Sequence, residues 1–110
     1  MNFSVKTTLD FDRSVKQIAK KYKLFKQDLA TLIIELEKTP EIGTPLGNNL
    51  FKIRIAITGS NKGKSGGARV ITYVKKINET VIMADIYLKS EHDTINEKLI
   101  LKRLSDEDFL

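Results

Sequence analysis

At 110 residues, 41% hydrophobic and 30% charged, the chain is long enough for one domain with a modest core (1–110) and too short for two. It has no cysteine and a single histidine, His92, which excludes a disulfide framework, zinc-finger spacing and a histidine-cluster site; no metal and no cofactor is expected. The net charge of +5 favours polyanionic partners, and the absence of an 18-residue apolar run or a signal-peptide core predicts a cytoplasmic protein without a membrane partner.

Asn2–Thr8 mixes Phe3, Val5 and Thr7 with polar neighbours, the pattern of a short first strand. Asp10 is the expected N-cap of a helix whose apolar residues Phe11, Val15, Ile18, Ala19 and Tyr22 follow helical spacing. A second helix is expected at about Leu24–Lys38, with Phe25, Leu29, Leu32, Ile33 and Leu36 on one stripe, ending before Pro40. The two form a helical hairpin. Glu41–Asn49 reads as a loop through Gly43, Pro45 and Gly47. Leu50–Ile57 then alternates as a strand, with Phe51, Ile53, Ile55 and Ile57 on one face and Lys52 and Arg54 on the other. Thr58–Gly67 is a glycine, lysine and serine loop, Ala68–Val74 a strand, and Thr80–Lys89 another after the connection Lys75–Glu79. A last helix is expected at about Thr94–Leu104, before the acidic Asp106–Asp108.

The order β-α-α-β-β-β with a C-terminal helix implies an α+β fold, an N-terminal strand and helical hairpin packed on a small, mainly antiparallel sheet. Charge is unevenly spread along it. Ile42 to Asn78 holds seven bases and no acid, residues 1–41 eight bases against six acids, and residues 79–110 four against eight. Alternation puts Lys52 and Arg54 on the sheet face away from the helices, with Arg69, Ile71 and Tyr73 of the next strand and Asp85, Tyr87 and Lys89 of the last; Ile82, Ala84, Ile86 and Leu88 are expected to face the helices. One open face would then gather Lys52, Arg54, Arg69, Lys89 and two tyrosines. Cations with flat rings between them suit RNA, whose phosphates need charge and whose unstacked bases need stacking partners. Lys62 and Lys64 extend the basic surface as a loop that grips phosphates.

That loop is not a nucleotide-binding P-loop. The motif requires a glycine five residues before Gly63, where Thr58 stands, and it opens a helix, whereas Arg69–Val74 is strand-like. The run Lys20-Lys21-Tyr22-Lys23 reads as a solvated helix end, and His92 as a surface residue.

Taken together, Phe51–Ala56, the loop Lys62-Gly63-Lys64-Ser65-Gly66-Gly67-Ala68-Arg69, Val70–Val74 and Asp85–Glu91 resemble the RelE/ParE/HigB superfamily of type II toxins, most nearly its HigB-like and RelE-like members, over about Leu24 to Leu104. The resemblance implies a microbial RNase-like fold and a ribosome-dependent mRNA endonuclease. It also implies a cognate antitoxin that binds the toxin in a hetero-oligomer, with the ribosome (rRNA) and mRNA as further partners. Arg69 matches the family arginine that contacts the scissile phosphate, Lys52 and Arg54 the paired basic positions of the preceding strand, and Lys89 the basic residue ending the last strand. Ile95 falls where the C-terminal catalytic tyrosine of RelE would lie.

The implied chemistry is attack of the substrate's 2′-hydroxyl on the adjacent phosphate. Arg54 and Arg69 are suited to a phosphorane's charge, and Lys89 or Lys52 to proton transfer if neighbouring cations depress its pKa. Expected catalytic residues are therefore Arg54, Arg69 and Lys89; expected RNA contacts are Lys52, Lys62, Lys64, Tyr73 and Tyr87. Two other readings fit the same residues: a ParE-like, non-enzymatic inhibitor of DNA gyrase, and a plain nucleic-acid-binding domain.

Overall fold

The computed structural model describes residues 2–61, 63–92 and 94–110. The fold is α+β, with three α-helices and one five-stranded sheet. The strands are β1 (Ser4–Thr7), β2 (Thr44–Gly47), β3 (Leu50–Ile55), β4 (Ala68–Lys75) and β5 (Thr80–Leu88). The helices are α1 (Leu9–Lys21), α2 (Phe25–Lys38) and α3 (Glu97–Asp106). Sheet order is β1-β5-β4-β3-β2, with β1 parallel to β5 and every other pairing antiparallel.

The N-cap of α1 is Thr8, two residues before the expected Asp10. The Thr8 hydroxyl accepts from the Phe11 N–H at 3.1 Å and donates to the Ala84 carbonyl at 3.2 Å, satisfying a helix-end donor and tying the helix to the sheet. Asp10 instead sits in the first turn and pairs with Arg103 of α3 at 3.0 Å. The apolar stripes of α1 and α2 bury Phe11, Ile18, Phe25, Leu29, Leu32 and Leu36 against Phe51, Ile53, Val70, Val74, Val81, Met83, Ile86 and Leu88.

Three expectations are corrected. Glu41–Asn49 is not all loop: Thr44–Gly47 forms the edge strand β2, joined to β3 through Asn48 and Asn49, both at positive φ (54° and 62°), as a two-residue hairpin turn demands. The second sheet face is not open, because α3 lies on it and buries Leu50, Ile71, Ile82, Ala84 and Tyr87 with Ile100 and Leu104. Ile82 and Ala84 point to that side because the β4–β5 register shifts after Ile71, which pairs with Asp85, while Thr72 pairs with Met83. The extra residue reverses strict alternation within β5, so only Ile86 and Leu88 of the four expected residues join Val81 and Met83 beneath α1 and α2.

Among the described residues, no helix is long and apolar enough to cross a membrane.

Candidate functional site

Rows of directly paired residues cross the α3 side of the sheet. Leu50, Tyr73 and Ile82 form one row, Lys52, Ile71 and Asp85 the next, and Arg54, Arg69 and Tyr87 the third. The first is apolar and packs in the α3 cluster; the third is cationic and lies toward the opposite end of the strands. The ladder continues past β5, where the Lys89 N–H donates to the Gly67 carbonyl at 3.0 Å and places Lys89 two residues along from the Arg69–Tyr87 pair.

Gly67 makes this end of the sheet possible. A Cβ there would run into the Ile55 carbonyl, so only glycine lets the chain enter β4 so close to β3. The approach sets the register in which Arg54 faces Arg69. Opposed residues of an antiparallel pair hold their Cβ atoms about 4.5–5.5 Å apart, and like charges so placed repel.

Arg69 is 2% exposed, the largest fully buried side chain in the described fold. Its Nη1 donates to the Lys64 carbonyl at 2.9 Å and to the Ala68 carbonyl at 3.2 Å, so the Lys64–Gly66 turn folds over it. Arg69, expected on an open face, is instead enclosed: β4 is central, with β3 and β5 on its flanks and the turn above. Arg54 is exposed, Lys52 half-buried, and Lys89 and Lys64 exposed. Lys62 lies outside the described residues.

The aromatic expectations also change. Tyr87 adjoins Arg69, but it is only 5% exposed, and His92 stacks on its ring at 4.3 Å between centroids and 22° between planes. The His92 and Glu91 N–H groups both return to the Leu88 carbonyl, at 3.3 and 3.0 Å, and this turn lays the imidazole over the phenol. The open ring is thus the histidine's, which sequence reasoning left as an ordinary surface residue; the one available signal was a turn-forming Ser90-Glu91 directly after the strand. Tyr73, half-buried in the α3 cluster, lies four residues, about 13 Å, along β4 from Arg69. The structure does not bring it to the cationic row.

Asp85 faces Ile71, one row from Arg69. Burial pushes its carboxyl above the usual carboxylate range, against a backbone hydrogen bond at Ile86 and the nearby charges of Arg103 and His92, which pull it down. Among the described residues, no group of three or more His, Cys, Asp or Glu side chains could hold a metal ion.

The architecture is that of a known toxin fold. The structure matches that of a double arginine-to-alanine variant of the E. coli toxin RelE in its free state, with a TM-score of 0.59, 14% identity, and coverage of 97% of this chain and 98% of that one. At that identity the likeness speaks for the fold. The sequence supplies the rest: residues 10–106 match the family described as RelE toxin of the RelE / RelB toxin-antitoxin system. The chain belongs to the RelE toxin family, within the RelE/ParE superfamily, and is a type II toxin whose partner is an antitoxin. No curated protein matches it significantly.

Proposed function

We propose that this toxin is an endoribonuclease that cuts messenger RNA on the ribosome, in the cytoplasm. The observation that carries the reading is Arg54 set directly opposite Arg69, with Lys89 and Lys52 beside them on one sheet face. Two opposed guanidinium groups weaken a sheet, and a local cost of this kind is characteristic of functional sites. An anion resting over them turns that repulsion into attraction.

In the proposed reaction the substrate's 2′-oxygen loses its proton and attacks the adjacent phosphorus. The new O2′–P bond forms as the P–O5′ bond breaks, the 5′-oxygen takes a proton, and a cyclic phosphate is left. Arg54, exposed, meets the non-bridging oxygens as their charge grows. Arg69 acts from beneath as a fixed positive charge whose orientation the Lys64 and Ala68 carbonyls hold, so little reorganisation accompanies the step. Lys89, two residues beyond Tyr87 along the chain, is the residue assigned to protonate the leaving oxygen. Lys52 and Lys64 line the approach of the backbone. Nothing in this scheme uses a tyrosine, consistent with Ile95 at the family's tyrosine position.

Primer extension on a message translated in a reconstituted system tests the proposal. Cuts at codons in the ribosomal A site, absent when ribosomes are withheld, are expected. An intact message together with inhibited supercoiling by gyrase would overturn the reading, as would salt-sensitive RNA binding without cuts.

A further inference from the structure

A cleft beside Tyr87, at the β5 end of the cationic row, takes no part in the scheme above. It has a volume of about 490 Å³, within the usual range for small-molecule sites. It exists because β1 pairs with β5 only as far as Met83, so α1, not a strand, stands beside the last part of β5. One wall is the α1 face formed by Ser14, Gln17, Ile18 and Lys21, whose spacing of three, one and three residues puts them on one side of the helix. Ile18, Ile86 and Leu88 supply apolar atoms to a lining that is otherwise mainly polar. The opposite lip carries Glu91 and the stacked His92–Tyr87 pair.

We propose that this cleft is a nucleobase pocket, which receives a base of the RNA whose phosphate lies over Arg54 and Arg69; it rests on the endonuclease reading for the identity of the polymer. The mixture of apolar atoms, an aromatic stack and one charge of each sign fits a base better than a phosphate or an ion. The apolar atoms of Ile18, Ile86 and Leu88 and the stacked His92–Tyr87 rings are the partners that an unstacked base seeks. The rim pairs one ammonium, Lys21, with one carboxylate, Glu91, so it does not concentrate positive charge. Gln17 presents both a donor and an acceptor, the complement of a base edge, and Glu91 accepts from an exocyclic amine. Position supports the assignment as well. Tyr87 is both a wall of the cleft and the cross-strand partner of Arg69, one strand spacing of about 4.8 Å away. Gln17 is then a specificity residue, and codon preference is read in part from α1.

Nuclear magnetic resonance titration of the isotopically labelled chain with each of the four nucleoside 5′-monophosphates, and with ribose 5-phosphate as a probe lacking the base, tests the pocket directly. Saturable shifts centred on the Gln17 side-chain amide, His92 and Leu88, for at least one nucleotide and not for ribose phosphate, are expected. Equal shifts with ribose phosphate would reduce the site to anion capture by Lys21 and overturn the proposal. So would shifts at these residues only when the antitoxin is added. In primer extension, Gln17→Leu should change the ratio between preferred and other codons by roughly tenfold. An unchanged ratio in an actively cutting enzyme would overturn the specificity role. Nucleotide binding by a chain that cuts no message would sustain the pocket while removing the endonuclease reading.

Discussion

The sheet face beneath α1 and α2 is apolar except for the buried Thr72, whereas the face beneath α3 passes from apolar at Leu50, Tyr73 and Ile82 to cationic at Arg54 and Arg69. One layer of backbone therefore serves two purposes. The first face, with Phe25, Leu36, Val70, Val81 and Met83 buried to 2% or less, supplies most of the hydrophobic stabilisation. The second carries a smaller core at one end, and at the other end charge is held in place by the first face behind it. Stability and chemistry are separated by the direction a side chain leaves its strand, so substitutions on the two sides should separate as well.

The largest expected effect lies on the apolar face. Phe25→Ala removes a fully buried ring and should cost about 3–5 kcal/mol, measured by urea denaturation; cleavage would fall only through loss of folded protein. If the variant proved as stable as the parent, the division of labour between faces would fail. Gly67→Ala probes the boundary. Its added methyl meets the Ile55 carbonyl and must push β3 from β4, an overpacking cost of about 1–3 kcal/mol, with activity falling further than stability because Arg54 leaves Arg69.

The smallest effect is expected at Asp85. Because burial raises its folded-state pKa, the folded protein holds the proton more tightly than the unfolded chain, and stability is lost as pH rises from the ordinary value of 3.8 through the raised one. Asp85→Asn should therefore melt slightly higher than wild type at pH 7, with the difference vanishing below pH 3.8; thermal melts at both pH values decide it. A gain that persisted in acid would point to packing, not charge.

Strand alternation in Leu50–Ile55 and helical spacing in Phe11–Ile18 and Phe25–Leu36 made the fold class, the element order apart from β2 and the shared face of Lys52, Arg54 and Arg69 legible in the sequence. These signals are local, set by the period of each element. What escaped depended on partners. β2 is a four-residue edge containing Pro45, recognisable only once β3 lies beside it. The β5 irregularity exists only in its pairing with β4. The side on which α3 docks follows from Arg103 meeting Asp10 and from the Glu107 carboxylate accepting the Leu9 N–H, contacts spanning nearly the whole chain. Burial of Arg69 and the stacking of His92 on Tyr87 are likewise tertiary, and both alter what the site offers an RNA: one exposed arginine backed by a fixed one, and an imidazole where a phenol was expected.

The central claim is that the opposed arginines stabilise the phosphorane. Single-turnover cleavage on ribosomes programmed with a defined A-site codon, wild type against Arg54→Ala, tests it most directly, since Arg54 is exposed and its loss, which relieves the repulsion from Arg69, should not lower the melting temperature. The account predicts a rate lower by about 10²–10³-fold, the effect of removing one preorganised donor from a developing anion. A folded Arg54→Ala toxin that cuts at the wild-type rate would contradict it.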